Sequence, residues 1–159
     1  MRSSWVSIAA VMLVVIAPAA AAQAANIEAM DRVSVRMPQS AVVSILGKPT
    51  STHEMAEGLK IDLYTPAGTP HLVSAGYLYE EDGRLGGHAY VFQGNVARQA
   101  AARLREHGFT LLEEKSGTYR LAGRDDDTGT PVVVTIGEQA DLTTVLTFEK
   151  GFYDRRVQR

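Results

Sequence analysis

The chain has 159 residues, with 16 basic and 18 acidic side chains and no cysteine. This length suits one ordinary domain. The near balance of charge argues against binding nucleic acid through overall charge, and the lack of cysteine excludes disulfides and thiolate metal sites.

Residues 1–24 read as a signal peptide. Arg2 supplies the positive start, Trp5 to Ile16 is an apolar run, Pro18 breaks it, and alanines follow. Both Ala20-Ala21-Ala22 and Ala22-Gln23-Ala24 fit a small-x-small cleavage site. A membrane anchor is the alternative, since Trp5 to Ala22 is just long enough to span, but the proline and the alanine ladder favour cleavage. The expected location is periplasmic or secreted, with no stable membrane insertion after cleavage. Arg2 is the only charge removed, so 15 basic and 18 acidic residues remain, a net charge of −3.

The rest, 25–159, is expected to be a single domain. Pro38 suits a first helical position, Ala41, Val42, Ile45 and Leu46 form one apolar stripe, and Gly47 followed by Pro49 ends the helix near 46. Gly47-Lys48-Pro49-Thr50 is not a phosphate loop. Val42 and Pro49 stand where that motif needs Gly and Ser or Thr, and the stretch leaves a helix instead of entering one. Strands are expected at 51–56, 59–63, 72–79 and 85–92, with a loop at 65–70 and an Asp82-Gly83 hairpin turn. Asn95 is the expected cap of a second helix, with Val96, Ala97, Ala100, Ala101 and Leu104 on its apolar side and Gly108 closing it. Strands at 109–114, 118–122, 132–136 and 142–149 complete the pattern. The tail 154–159 reads as a solvated, frayed end.

The expected fold class is α+β: a helix–four-strand unit in tandem, with two helices packed on antiparallel sheet and structural repeats at 37–93 and 94–152. A single longer antiparallel sheet carrying two helices is the alternative. The stretch Arg36 to Pro49, with Met37, Leu46, Gly47 and Pro49, resembles the helix-to-strand motif of the SmpA/OmlA family. Those are small outer-membrane-assembly lipoproteins, and the beta-lactamase inhibitor proteins have similar folds. Arg36 stands where the family pattern carries glycine, and the lipid-bearing cysteine is absent. The resemblance implies a module that binds other proteins, with no enzymatic activity.

No metal site is expected. His53, His71, His88 and His107 lack paired ligand spacing, and Asp125-Asp126-Asp127-Thr128-Gly129 reads as a polar turn, not a calcium loop. No cofactor and no nucleophile motif is expected, and the glutamate pairs beside turns are better read as solvated hairpin ends than as general acid–base pairs. If Leu59, Ile61 and Leu63, and Leu85, Ala89 and Val91, face the helices, an aromatic outer face remains. Its expected partner-binding residues are Tyr64, Tyr77, Tyr79, His88 and Tyr90, with Arg120 supplying polar specificity. The expected function is thus a non-catalytic protein-binding module of the bacterial cell envelope. A small-ligand or lipid carrier is the alternative, using space opened by Gly76, Gly86 and Gly87. A hydrolase is the third reading. The expected partner is another envelope or secreted protein.

Overall fold

The computed structural model describes residues 25–158, so the expected signal peptide lies outside the described residues. In chain order the elements are α1 (Ile27–Met30), α2 (Gln39–Leu46), β1 (Ser51–Glu54), a 3₁₀ turn (Ala56–Gly58), β2 (Lys60–Tyr64), β3 (Leu72–Tyr79), β4 (Leu85–Gln93), α3 (Ala97–Glu106), β5 (Thr110–Lys115), β6 (Thr118–Arg124), β7 (Pro131–Gln139), β8 (Leu142–Glu149) and α4 (Lys150–Arg156). Among the described residues no helix is long and apolar enough to cross a membrane.

The eight strands form one antiparallel sheet in the order β1-β2-β3-β4-β8-β7-β6-β5. This corrects the expected α+β tandem of helix–four-strand units: the fold is a sheet-dominated one with few, short helices. The reason lies at the centre. β4 pairs with β8 from Gly87 opposite Phe148 to Gln93 opposite Leu142. Two separate units would leave both strands as open edges, with apolar residues and unpaired backbone groups on show; pairing them removes both edges. The two remaining edges are blunted. β1 is four residues long and largely exposed. β5 is bulged between Leu111 and Glu113 and carries Glu113, Glu114 and Lys115.

The two faces are covered differently. On one, here the upper face, Met30 and Val33 of α1 and the turn after it, with Val42 and Leu46 of α2, pack on Tyr64, Ala75, Tyr77, Tyr79 and Leu85. Farther along the same face, Ala97 and Ala101 of α3 pack on Leu121, Val134 and Ile136. On the lower face, Phe152, Tyr153 and Val157 cover Ile61, Leu63, Leu78, Ala89, Val91, Val133, Leu146 and Phe148. The period-2 alternation is therefore as the sequence indicates, but the faces are exchanged. Ile61, Leu63, Ala89 and Val91 meet α4, and the tyrosines meet the first helices. Leu85 departs from its expected companions because Gly86 is an extra residue in β4. Leu78 pairs with Gly87 and Tyr79 with Leu85, which turns Leu85 to the tyrosine side.

α4 is a second correction. The tail expected to fray, 154–159, instead begins within a helix, Lys150–Arg156, that buries Phe152 and Tyr153, and Val157 just beyond it is buried as well. Glu149 caps it, its carboxylate accepting from the Phe152 amide at 2.6 Å. A Cβ on Gly86 would lie 2.6 Å from the Phe152 ring and one on Gly87 2.6 Å from the Phe148 ring. These two glycines thus seat the aromatic pair, which stacks at 5.8 Å. Burying a ring such as Phe152 contributes about 2–3 kcal/mol. Arg155 pairs with Glu80 at 3.0 Å and Arg156 with Glu57, tying α4 across to the first half of the sheet.

Helix ends show where local signals sufficed. α2 ends at Gly47 with φ +83, the left-handed region that glycine enters at least cost. α3 starts at Ala97, not after an Asn95 cap. Its free amides are met from across the fold: Val96 N–H donates to Thr143 Oγ1 at 2.9 Å and Ala97 N–H to Glu138 Oε1 at 2.8 Å.

Candidate binding surface

The expected site residues divide between the faces. Strand register aligns Asp62, Tyr77, His88 and Thr147 in one row across β2, β3, β4 and β8, and Tyr64, Ala75, Tyr90 and Val145 in the next. Five expected residues therefore gather on the upper face. Arg120 does not join them. It lies opposite Thr135 on the lower face, between Glu113 and Tyr153. In the second half, Thr143 and Thr147 share the tyrosine face, while Thr135 shares that of Arg120.

The expectation of an open aromatic face is corrected for three residues. Tyr64, Tyr77 and Tyr79 are 2%, 0% and 0% exposed, beneath α1 and α2. They form an inner tier of the core. Tyr64 packs edge-on against Tyr77, with centroids 5.5 Å apart, and its hydroxyl donates to the Gly47 carbonyl at 3.0 Å. That bond ties the end of α2 to the sheet. The Tyr79 hydroxyl is buried with no hydrogen-bond partner among the described residues.

His88 and Tyr90 form an outer tier, half-buried together with Phe92 on alternate positions of β4. The His88 and Tyr90 rings are 5.0 Å apart and tilted by 33°. The Tyr77 and Tyr90 hydroxyls meet at 3.3 Å. This tier lies where the cluster under α1 and α2 ends and the one under α3 begins. Tyr90 and Phe92 border the first, and Val145 of neighbouring β8 borders the second.

The sequence reading missed Asp62. It is fully buried, and its carboxyl accepts from Thr52 Oγ1 at 2.6 Å and from Gln39 Nε2 at 2.9 Å. The available signal was parity: a polar residue between Ile61 and Leu63, on the same face as Tyr64.

Burial sets the proton chemistry. It pushes Tyr64 up to about 12, with the Asp62 charge adding to the effect. Tyr90 also rises to about 12 through burial, against an opposing hydrogen bond from Tyr77. Tyr77 and Tyr79 are raised further, again chiefly by burial. Desolvation lowers His88 to about 4, opposed by the Asp125 charge, and its Nδ1 has no partner among the described residues. At neutral pH the two tiers are therefore neutral rings and hydroxyls. They can stack, bury apolar area and exchange hydrogen bonds, which is recognition chemistry.

His53, His71 and His107 are exposed. Among the described residues no cluster of three or more His, Cys, Asp or Glu side chains could hold a metal. Asp125 closes its own turn, accepting from the amides of Asp127 and Thr128. No family model, curated protein or solved structure matches this chain.

Proposed function

We propose that the protein is an exported, non-catalytic module of the bacterial cell envelope that binds another protein through the outer tier of the upper face, His88, Tyr90 and Phe92. One observation carries this reading: a partly buried aromatic row is backed by a fully buried row that holds it in place. Tyr90 is fixed at its hydroxyl by Tyr77 and at its ring by His88. Aromatic side chains with few rotatable bonds, already held in position, lose little entropy on binding and are favoured as interface anchors. Tyr64, Tyr77 and Tyr79 enter as supports of that row, not as contacts.

The resemblance of Arg36–Pro49 to the SmpA/OmlA motif supports the same reading. Arg36, at the position where that pattern carries glycine, has φ +71, backbone that glycine fits best. Of the three glycines behind the carrier reading, Gly86 and Gly87 open no space, because Phe152 and Phe148 fill the room beside them.

The test is a crosslinked pull-down from envelope extract with the exported protein and its His88→Ala and Tyr90→Ser variants, alongside thermal melts. The expected result is one dominant protein partner, lost in both variants while they remain folded. A partner retained by both folded variants overturns the assignment of the surface. A co-purifying small molecule without a protein overturns the module itself.

A further inference from the structure

The lower face holds a second site candidate, independent of the upper one. Near the tip of the β5–β6 hairpin is a pocket of about 250 Å³ lined by Glu113, Lys115, Ser116, Thr118 and Arg120. Register explains the grouping. Glu113 is opposite Arg120 and Lys115 opposite Thr118, so their side chains share one face of the hairpin.

Arg120 is held but not saturated. Its Nη2 pairs with Glu113 at 3.1 Å, and its Nη1 approaches the Tyr153 hydroxyl at 3.4 Å. Its Nε is buried and has no hydrogen-bond partner among the described residues, and neither has the buried hydroxyl of Thr135, its cross-strand neighbour. Buried donors without acceptors are uncommon in folded proteins and call for an explanation. Lys115, at the rim, makes no ion pair with another described residue. Two cations stand against one carboxylate, so the pocket has a local charge of +1 in a chain whose net charge is −2.

The geometry points to a binding site for a single carboxylate group. A planar guanidinium fork matches a carboxylate, Lys115 adds a point charge, and Ser116 and Thr118 supply hydroxyl donors. Glu113 sets the charge limit: it offsets one cation and repels a dianion, so a monoanionic carboxylate suits the pocket better than a phosphate dianion. The volume, small beside the several hundred cubic ångströms of ordinary ligand sites, fits a terminal group and not a whole large ligand. Such a group could come from a small free acid or from the carboxyl end of a peptide.

Arginine Nε–H groups give separate NMR signals, so the Arg120 guanidinium can report a ligand bound beside it. The full chain, ¹⁵N-labelled, would be titrated with acetate, with acetyl-Ala-Ala-Ala and with its C-terminal amide. Saturable shifts of the Arg120 Nε–H and the Lys115–Thr118 amides are expected with a free carboxylate and not with the amide. Tighter binding of the peptide than of acetate assigns the site to a chain end; equal binding assigns it to a small acid. Arg120→Lys should weaken binding at least about tenfold, as loss of a charge-assisted hydrogen bond does. Lys115→Gln, on an exposed side chain, keeps the test valid if Arg120→Lys unfolds, and should weaken binding several-fold. No saturable shift with either carboxylate, or equal shifts with the amide, overturns the site. None of these outcomes depends on His88 or Tyr90, so the upper surface is judged separately.

Discussion

The two halves of the upper face solve the same packing problem with different material. Under α1 and α2 the sheet presents Tyr64, Tyr77 and Tyr79; under α3 it presents Leu121, Val134 and Ile136 against two alanines. Alanines let a helix sit close to aliphatic strand residues, and these side chains carry no polar atom that needs a partner. Tyrosines hold the first helices farther out and bring hydroxyls that must be satisfied in a buried layer. Tyr64 reaches the Gly47 carbonyl and Tyr77 meets Tyr90, while the Tyr79 hydroxyl finds no partner among the described residues. The aromatic half is thus the more specified one, and it is the half whose rings continue outward to a partly buried row on β4.

The comparison is broken most directly by truncation. Tyr77→Ala should cost about 3–5 kcal/mol and Ile136→Val only about 1 kcal/mol, the scale of a lost core ring against one lost methyl. Urea unfolding of both variants checks this, and similar small losses would place the tyrosines outside the core. Next in size is the seat of α4. Gly86→Ala should cost about 2–3 kcal/mol by forcing a methyl against the Phe152 ring. Adding Phe152→Leu should return part of that loss, and strictly additive effects would deny the contact.

A pH series sharpens the contrast further. His88 stays neutral in the native state down to about pH 4, whereas the unfolded chain protonates it near its ordinary value of 6.5. The unfolded state therefore binds the extra proton between those limits. Stability should fall by about 3 kcal/mol as pH drops from above 6.5 to below 4, the loss levelling off once both states are protonated. His88→Gln should flatten that part of the curve, and an unchanged slope in the variant would place the ring in water. The smallest effects belong to the helix ends. Tyr64→Phe loosens the end of α2 and Glu138→Ala the start of α3, each by about 1 kcal/mol, the scale of one hydrogen bond or one cap. Hydrogen exchange should show the loss confined to the helix concerned; a global loss in either would deny that the contact is local.

Strands and turns were largely legible. Asp82-Gly83 gives the expected turn, with Gly83 at φ +76, and the second helix ends before Gly108 as expected. The four-residue α1 was not, nor was α4, whose apolar positions Phe152, Tyr153 and Val157 are too few to show a helical stripe. The candidate site was legible as a group of residues and not as a surface. Tyr64, Tyr77, Tyr79, His88 and Tyr90 do share one face, but burial divides them into supports and contacts, and Arg120 belongs elsewhere.

By itself, the sequence determined what depends on neighbouring residues: where helices stop, where hairpins turn, and which side chains alternate along each strand. These follow from backbone sterics and the period of each element, so a few residues suffice. Tertiary structure decided the rest. It joined β4 to β8, gave the tyrosines to α1 and α2, set Phe152 on two glycines, and capped α3 from Thr143 and Glu138. Each of those choices rests on contacts between residues about 40 or more apart in the chain or on a competition between two sheet faces. An alternating pattern names two faces, but only the packed molecule assigns a cover to each.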